Sequence, residues 1–432
     1  MATIKIHGGN PLGGEITVSG SKNGTLPLLA AALLIADQSI IENVPRIDDI
    51  NAMIDMLRAL GAKCEFIERS VLSIDASHIT SVSAPYDLVR KMRGSFYVAG
   101  ALLGRLGEAE VPLPGGCVIG SRPVDYHLSG FRALGAVVEE RHGIMRARAD
   151  KLTGSRMYMD SRYRSVGATV NVMLAAVLAD GVTVIENASR EPEVICCQQF
   201  LQQAGADIRG VGTDIVVIKG VEKLHGCRFR SVPDRMEAGT FLIACGVARG
   251  DVTVRAVEPR HMGVVLNLLQ RAGLKVESGP DYVHAIADKR PHAFEVTTAP
   301  YPGFPTDLQP NAGVLGALAV GTTVIQETIF EARFNYIDEL KRMGADMQLK
   351  DSVAIIRGVP KLYGAPVEAT DIRAGSALVV AGLAADGYTE ISGAEFLARG
   401  YENLEGKLQQ LGATITSTPS VEDDKARNAW HR

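Results

Sequence analysis

The sequence predicts an α/β protein of two domains, each built from three copies of a unit of about 70 residues. The chain has 432 residues, and a single core seldom serves a chain beyond about 250–300 residues. A helix closed by a glycine turn recurs six times, with an Ala/Leu-rich helix and a β-branched strand before each turn. With 46% hydrophobic and 22% charged residues, the composition is typical of a folded protein and excludes general disorder.

The glycine turns define the repeat. Their spacing of 68 to 74 residues is too even for helices that merely happen to end at glycine. The six turns are Leu60-Gly61-Ala62, Leu134-Gly135-Ala136, Ala204-Gly205-Ala206, Ala272-Gly273-Leu274, Met343-Gly344-Ala345 and Leu411-Gly412-Ala413.

The elements of a unit follow from its hydrophobic pattern. In the first unit one helical face carries apolar residues from Ile50 to Leu60, with Asp48 or Asp49 as N-cap and Gly61 as the stop. The helices Leu26–Leu34 and Val170–Leu178 carry little polar surface, which predicts burial inside a layer of strands. The predicted strands include Ser39–Glu42, Val182–Glu186, Val252–Val257 and Thr322–Glu327.

Three units per domain place the break near Gly226–Pro233. The predicted domains are residues 22–231, and residues 1–21 together with 232–419, since the opening strand Thr3–Ile6 precedes the first unit and is expected to pair in the second domain. Residues 420–432 are charged and aperiodic and are predicted to form a flexible tail.

Charge and cysteine usage narrow the function classes. A formal net charge of −4 gives no sign of a nucleic-acid partner, and no apolar run is long enough to suggest a membrane span or a secretory signal. We therefore expect a cytoplasmic protein with reduced thiols. The six cysteines show no zinc spacing, and no metal or redox cofactor is expected; five are predicted to be small buried residues: Cys64, Cys196, Cys197, Cys227 and Cys245.

The second unit is about four residues longer than the others, and the excess lies in the segment 112–125. Extra residues in a repeat usually map to a functional loop. This loop holds Cys117 between paired glycines and Arg122, and a nearby cation would tune the reactivity of the thiol. An inert cysteine in a flexible loop is the alternative.

Several short motifs, in their order along the chain, resemble those of the UDP-N-acetylglucosamine enolpyruvyl transferases (1-carboxyvinyltransferases) of peptidoglycan synthesis. The resemblance covers nearly the whole chain and implies an inside-out α/β barrel-like fold of six βαβαββ units, three per domain. The motifs are Ser19-Gly-Ser-Lys22-Asn23, Pro114-Gly-Gly-Cys117 through Asp125, Ser165-Val-Gly-Ala-Thr169, Arg190-Glu-Pro-Glu193, Pro233-Asp-Arg235, Phe304-Pro-Thr-Asp307, Glu331-Ala-Arg333, Ala369-Thr-Asp371-Ile-Arg373 and Arg399-Gly-Tyr-Glu402.

The resemblance implies transfer of the enolpyruvyl group of phosphoenolpyruvate to the 3′-hydroxyl of UDP-N-acetylglucosamine by addition and elimination, with release of phosphate. Cys117 matches the family's proton donor, which can form a covalent adduct with phosphoenolpyruvate and is the target of fosfomycin. Asp307 matches the base; its alternative is to cap the helix that follows. Lys22 and Arg399 complete the implied catalytic set. The oligomeric state is left open.

The resemblance also implies the substrate contacts. Phosphoenolpyruvate is expected on Lys22, Asn23, Arg122, Arg333, Arg373 and Arg399, because guanidinium and ammonium groups suit phosphate and carboxylate oxygens. For Arg93 the alternative is a solvated position on the surface, and for Asp125 it is a helix cap. Glu331, Asp371 and Asp234 are expected to form structural ion pairs with arginines. UDP-N-acetylglucosamine is expected on Arg93, Arg122, Pro123, Val124, Asp125, Tyr126, Ser165, Val166, Gly167, Asp307 and Ile329.

Two departures from the family pattern leave alternatives open. The segment between Asp160 and Ser165 is about two residues longer than in typical relatives, and Phe396-Leu-Ala398 stands where relatives often have a histidine and an acid. An enolpyruvyl transferase for another nucleotide or nucleotide sugar is therefore one alternative, and a non-catalytic nucleotide-sugar-binding protein is another. An enzyme acting on shikimate 3-phosphate is disfavoured, because Lys22 is followed by Asn23 and Gly24 and not by serines.

Overall fold

The computed structural model of the protein describes residues 2–114, 124–159 and 164–418. These residues form two units, each with its own hydrophobic core. Unit 1 contains residues 2–19 and 234–418, and unit 2 contains residues 20–114, 124–159 and 164–233. The central part of the cysteine loop and the predicted tail lie outside the described residues.

The strands are short and mostly alternate buried and exposed positions. In chain order they are β1 Thr3–His7, β2 Gly13–Thr17, β3 Gln38–Glu42, β4 Lys63–Glu68, β5 Val71–Asp75, β6 Glu108–Pro112, β7 Val137–Arg141, β8 Ile144–Arg148, β9 Arg156–Tyr158, β10 Val182–Glu186, β11 Asp207–Arg209, β12 Ile215–Lys219, β13 Arg228–Arg230, β14 Asp251–Arg255, β15 Lys275–Ser278, β16 Tyr282–Ile286, β17 Glu295–Thr297, β18 Thr322–Gln326, β19 Asp346–Lys350, β20 Val353–Arg357, β21 Pro366–Glu368, β22 Tyr388–Ser392 and β23 Thr414–Thr418.

The helices are α1 Lys22–Ala32, α2 Asp48–Ala59, α3 Tyr86–Val89, α4 Tyr97–Leu106, α5 Asp125–Ala133, α6 Val166–Ala176, α7 Pro192–Gln203, α8 Arg235–Ala248, α9 Gly263–Arg271, α10 Gln309–Ala317, α11 Ile337–Arg342, α12 Ile372–Ala384, α13 Glu395–Ala398 and α14 Leu404–Gln410. Short 3-10 helices span Arg93–Phe96, Pro259–His261 and Thr306–Leu308.

The six predicted repeats are confirmed, and each corresponds to one small sheet. Within the described residues five sheets have four strands, in the orders β13-β3-β5-β4, β9-β10-β12-β11, β2-β14-β16-β15, β17-β18-β20-β19 and β21-β22-β1-β23. In each, the first pair is parallel and the others are antiparallel. The remaining sheet, β6-β8-β7, has a single parallel bridge from Ser83 to Glu110 in place of the first strand.

Two short strands are exchanged between the repeats. β2 precedes α1 in the chain but pairs in parallel with β14, which follows α8. β13 precedes α8 but pairs with β3, which follows α1. The opening strand β1 pairs with β22 and β23, as the sequence suggested. Each unit therefore combines segments that are distant in sequence.

One helix of each repeat is largely buried, and we call these six the inner helices: α1, α4, α6, α8, α10 and α12. All nine residues of α10 are buried, and α8, α10 and α12 contact one another. Small residues permit this packing: a Cβ added to Gly100 of α4 would lie 2.2 Å from the carbonyl oxygen of Asn171 in α6. The buried helices inside layers of strands confirm the predicted inside-out α/β fold.

All six glycine turns are confirmed as helix stops. Their glycines have φ between +87° and +112°, a region open to glycine at little cost. In each turn the amide of the next residue donates to the carbonyl five residues earlier, at 2.9 to 3.0 Å. This is the hydrogen bond that closes a Schellman motif.

The predicted start of α1, the predicted N-cap of α2 and the predicted burial of one cysteine were wrong. Helix α1 begins at Lys22, before Pro27, although proline usually disfavours a helix interior. Helix α2 is capped at Ile47 without a side-chain bond, so neither Asp48 nor Asp49 is its N-cap. Cys227 is half-buried, while the other four described cysteines are buried.

No helix in the part of the chain that the structure describes is long and apolar enough to cross a membrane.

A buried ion pair fixes the start of the chain within unit 1. Lys407 Nζ lies 2.5 Å from Glu237 Oε1 and 2.7 Å from Ser19 Oγ, and Ser19 N donates to Glu237 Oε2 at 2.8 Å. The Glu237 side chain is only 2% exposed. Burial raises the pKa of Glu237 from 4.5 to about 7, against the lowering effect of Lys407.

The raised pKa of Glu237 predicts a pH-dependent stability. The folded state holds the proton more tightly than the unfolded chain, so this stabilisation is complete below about pH 4.5 and is lost as the pH rises through 7. We expect Glu237→Gln to lack this loss, measured as the free energy of unfolding in urea between pH 5 and 8.

The control for this experiment is Glu15→Gln, which removes an exposed ion pair with Arg255 in the same unit. It should keep the slope of the parent protein. An unchanged slope in Glu237→Gln would show that Glu237 does not titrate in this range.

Candidate active site

More than half of the predicted site residues that the structure describes lie at the N-terminal end of an inner helix or in the segment just before it. Lys22 and Asn23 open α1, Arg93 opens the 3-10 helix before α4, and Ser165 precedes α6. In unit 1 Asp307 precedes α10 and Arg373 lies in the first turn of α12. Helix N-termini favour anions. Each of these places therefore combines a helix end that suits an anion with a candidate ligand-binding side chain.

In unit 1 the carboxylate of Asp307 is held between two arginines. Arg333 Nη1 donates to Oδ1 at 2.6 Å, and Arg373 Nη2 donates to Oδ2 at 2.7 Å. Both arginine side chains are 7% exposed and that of Asp307 is 23% exposed. These three residues, which we call the carboxylate clamp, come together although 66 residues separate Asp307 from Arg373.

Contacts with Asp307, Thr306 and Phe330 hold the Arg333 side chain in place. Its Nη1 also reaches Thr306 Oγ1 at 3.2 Å, and its Cζ lies 4.9 Å from the centre of the Phe330 ring. Its buried Nε has no hydrogen-bond partner among the described residues. A buried guanidinium N–H without a partner is costly, so this atom is a candidate donor to a ligand.

Arg373 is held by a polar network in the core of unit 1. Its Nη1 lies 3.4 Å from the Tyr401 hydroxyl, which lies 2.9 Å from Thr240 Oγ1. Thr240 donates to the carbonyl of Met236, so its oxygen accepts from Tyr401 and from Asn311 Nδ2. Burial lowers the pKa of Arg373, but the negative charge of Asp307, with Tyr401 and Asp234, outweighs it and keeps that pKa above its usual range.

Helix capping distinguishes Asp307, which caps no helix, from Asp371 and Asp234, which are expected from the sequence to pair with arginines. The Asp307 carboxylate binds the two arginines, and no side chain caps α10. Asp371 and Asp234 are the N-caps of α12 and α8, each accepting from two backbone amides. The charge of Asp234 also favours the ionised form of Arg373 and raises its pKa.

The other predicted residues of unit 1 flank the clamp in sequence. Ile329 lies in the segment after β18, and its backbone amide donates to Glu327 Oε1 at 2.7 Å. Arg399 is the C-cap of α13 and is partly exposed. The altered segment Phe396-Leu-Ala398 forms most of that helix, and Leu397 is buried.

In unit 2 Lys22 forms an ion pair that the sequence did not predict. Its Nζ lies 3.1 Å from Asp49 Oδ2, with the two side chains 12% and 6% exposed. Ser21 caps α1 by accepting from Gly24 N at 3.1 Å. Asp49, considered from sequence only as a cap of α2, therefore orients an ammonium group at the start of α1.

The remaining predicted residues of unit 2 lie around α5 and α6. Ser165 caps α6 by accepting from Ala168 N, and Val166 and Gly167 form its first turn. Val124 is the N-cap of α5, and Asp125 and Tyr126 are its first residues, so Asp125 is not the cap itself. His127 is buried and supports this region, because its Nδ1 lies 2.8 Å from Asn171 Nδ2.

Cys117, Arg122 and Pro123 lie outside the described residues. The five described cysteines have pKa values raised chiefly by burial, to about 12 for Cys64, Cys196 and Cys245. The pKa of Cys227 is raised by the same cause, and that of Cys197 lies well above its usual value. Because the thiolate is the nucleophile, these five thiols are poorly reactive near neutral pH. No cluster of metal ligands occurs among the described residues.

Three residues that the sequence did not predict contact predicted site residues. Asp49 contacts Lys22, Tyr401 contacts Arg373, and Thr306 contacts Arg333. Tyr401 lies two residues after Arg399, and Thr306 directly precedes Asp307, so both belong to the motifs that resemble the family. The motifs do not show which side chains they contact.

The thiol chemistry predicts selective labelling. Iodoacetamide at pH 7 should modify Cys117 first, to roughly one label per chain, because the other thiols hold their protons more tightly. Cys117→Ser should remove this label, measured by mass spectrometry of the intact protein.

Cys227→Ser is the matched control, since Cys227 is the least buried of the described cysteines, and it should label as the parent does. Equal labelling of Cys117→Ser and the parent would rule out Cys117 as the reactive thiol.

Comparison with known proteins identifies the family of the chain. The sequence pattern of EPSP synthase (3-phosphoshikimate 1-carboxyvinyltransferase) matches residues 6–408. The chain is 47% identical to a UDP-N-acetylglucosamine 1-carboxyvinyltransferase of Carboxydothermus hydrogenoformans, covering 96% of this chain and 98% of the relative. It is 49% identical to a relative of that name from Symbiobacterium thermophilum, over 97% and 99% of the two chains.

Solved structures show the same fold. The enolpyruvyl transferase NikO from Streptomyces tendae superposes with a TM-score of 0.88 at 29% identity, over 97% of this chain and 99% of that one. EPSP synthase from Acinetobacter baumannii gives a TM-score of 0.74 at 20% identity, over 97% and 100% of the two chains, and shares the fold. The chain thus belongs to the EPSP synthase family of enolpyruvyl transferases, and within it to the UDP-N-acetylglucosamine 1-carboxyvinyltransferases.

Proposed function

We propose that this enzyme transfers the enolpyruvyl group of phosphoenolpyruvate to the 3′-hydroxyl of UDP-N-acetylglucosamine and releases phosphate, a step of peptidoglycan synthesis. The names of its relatives supply the substrate class. The carboxylate clamp is the observation in the molecule that carries the proposal. It consists of two nearly buried arginines whose guanidinium groups bind a carboxylate, the contact by which a small carboxylic acid can be recognised.

Arg333 and Arg373 are the proposed partners of the phosphoenolpyruvate carboxylate. Both guanidinium groups are nearly buried, where a charge-assisted hydrogen bond is stronger than in water. The unused Nε of Arg333 offers one further donor. Planar guanidinium groups can bind two carboxylate oxygens, so they fix orientation as well as charge.

The phosphate of phosphoenolpyruvate is assigned to Lys22, Arg122 and Arg399, with Asn23 beside it. Support comes from Lys22, which Asp49 holds at the N-terminus of α1, where an ammonium group and a helix end can act on the same anion. Phosphate is the leaving group, so cations placed there stabilise the charge that develops as its bond to carbon breaks.

The proposed reaction has two steps. In the addition, the 3′-oxygen of the sugar bonds to C2 of phosphoenolpyruvate, the hydroxyl proton goes to a base, and C3 receives a proton from an acid. In the elimination, C3 loses a proton and the C2–O bond to phosphate breaks, which restores the double bond. Cys117 is the proposed acid and Asp307 the proposed base, because thiol and carboxyl groups can exchange protons at these centres.

Asp307 cannot serve as a base while both its oxygens are held by arginines, since two cations stabilise its ionised form. We propose that the substrate carboxylate replaces Asp307 on one or both guanidinium groups. Asp307 is then released to accept the hydroxyl proton. The clamp therefore couples binding of the first substrate to availability of the base.

The nucleotide sugar is assigned to Arg93, residues 122–126, residues 165–167, Asp307 and Ile329. The N-terminal end of α6, capped by Ser165, suits a diphosphate, and the partly exposed first turn of α5 is open to a uracil edge. A catalytic thiol requires a reducing environment, so we propose the cytoplasm as the place of action.

The proposed function predicts that phosphate is released only when phosphoenolpyruvate and UDP-N-acetylglucosamine are both present. Phosphate release is measured with each substrate alone, with both, and with shikimate 3-phosphate or another UDP-sugar in place of the second. Turnover with another acceptor and none with UDP-N-acetylglucosamine would overturn the substrate assignment, and no turnover with any acceptor would overturn the transferase assignment.

The clamp predicts that Asp307→Asn binds phosphoenolpyruvate more tightly while losing turnover. Removing the carboxylate leaves both arginines available, so we expect the dissociation constant to fall roughly tenfold. Calorimetric titration with phosphoenolpyruvate measures this in a Cys117→Ser background, which prevents a covalent adduct.

Asp338→Asn, which removes an exposed carboxylate paired with Lys341 in the same unit, is the control and should bind as the parent does. Unchanged or weaker binding by Asp307→Asn would contradict competition between Asp307 and the substrate carboxylate.

A further inference from the structure

Glu327 is a buried acidic residue that directly follows β18 and lies close to the clamp. It is 2% exposed, and four hydrogen-bond donors converge on its carboxylate. Oε1 accepts from Thr298 Oγ1 at 2.8 Å and from the backbone amides of Ile329 and Phe330 at 2.7 and 3.1 Å. Oε2 accepts from Thr306 Oγ1 at 2.9 Å. Every one of these contacts uses Glu327 as an acceptor.

The contact with Thr306 fixes the direction of a hydrogen-bond chain. The single hydroxyl proton of Thr306 is donated to Glu327, so its oxygen can only accept from Arg333 Nη1, 3.2 Å away. Arg333 Nη1 then donates to Asp307 Oδ1 at 2.6 Å. Glu327 is thus connected to the proposed base through one hydroxyl and one guanidinium group.

A second connection runs through the backbone. Glu327 Oε1 holds the amide of Phe330, whose ring lies 4.9 Å from Arg333 Cζ. The amide of Arg333 donates to the carbonyl of Phe330 at 3.1 Å. One carboxylate therefore fixes both the loop that carries Arg333 and the hydroxyl that receives its Nη1.

We propose that Glu327 is a positioning residue for the transferase reaction, acting through Thr306 and Phe330 to orient Arg333 and, through it, Asp307. This role rests on the proposed function, because it presumes that Arg333 binds the substrate carboxylate and Asp307 acts as base. Glu327 itself has no contact with a substrate in this role.

Glu327→Gln is an informative variant, since the two side chains have nearly the same shape. The amide oxygen can keep the three donors now on Oε1, which leaves the amide nitrogen facing Thr306 Oγ1. The nitrogen would then donate to Thr306, and the hydroxyl proton of Thr306 would turn away from residue 327. The Thr306 oxygen can still accept from Arg333 Nη1, but its proton no longer has the Glu327 carboxylate as a partner, so the contact that orients Arg333 is weakened.

A matched pair of variants separates positioning from stability. Thr306→Val and Thr298→Val each remove a hydroxyl that donates to the Glu327 carboxylate. Only Thr306 also contacts Arg333. Both variants should lower the melting temperature, whereas only the first should affect the clamp.

The test measures phosphate release at varied phosphoenolpyruvate concentration for Glu327→Gln, Thr306→Val and Thr298→Val. We expect the first two to raise KM for phosphoenolpyruvate roughly tenfold, as loss of a hydrogen bond to a charged group implies, with Thr298→Val within about twofold of the parent. Equal effects of the two threonine variants, or a normal KM in Glu327→Gln, would overturn the proposal.

Crystal structures of the same variants give a readout that does not depend on activity. We expect the Arg333–Asp307 contact to be displaced in Glu327→Gln and Thr306→Val and retained in Thr298→Val. An undisturbed contact in the first two would overturn the positioning role. Failure of the parent protein to turn over would instead overturn the proposed function, so the two failures are distinguishable.

Discussion

The site depends on one interaction, a carboxylate held between two buried guanidinium groups. Arg333 and Arg373 are each 7% exposed, so their charges would be costly without a partner. Asp307 supplies that partner and keeps the pKa of Arg373 above its usual range despite burial. In the proposed function a substrate carboxylate takes over this role, which would let the protein keep two arginines ready without leaving them uncompensated.

The repeat explains how such groups come together. Each repeat supplies a buried inner helix whose N-terminal end is joined to a loop or a short helix. Asp307 and Arg373 occupy these ends in two successive repeats of unit 1. The inner helices are fixed by close packing and by caps such as Asp234 and Asp371. Side chains on these ends are therefore placed by the core and not by flexible loops, as reactions with strict orientation require.

Much of the fold could be predicted from the sequence, because the signals are local. Gly61 and its five counterparts mark helix stops through a backbone conformation that glycine adopts at little cost. The candidate residues were marked by motifs, but their partners were not. Tyr401 is 28 residues from Arg373 and Glu327 is 21 residues from Thr306, so only the packed strands and helices bring them into contact. The start of α1 was missed because Pro27 normally argues against a helix interior.

The central claim is that the substrate carboxylate replaces Asp307 in the clamp. A crystal structure of Cys117→Ser with bound phosphoenolpyruvate measures this directly. We expect the substrate carboxylate within hydrogen-bond distance of Arg333 or Arg373 and at least one Asp307 oxygen moved away from its arginine. Phosphoenolpyruvate bound elsewhere, with Asp307 still held by both guanidinium groups, would contradict the account.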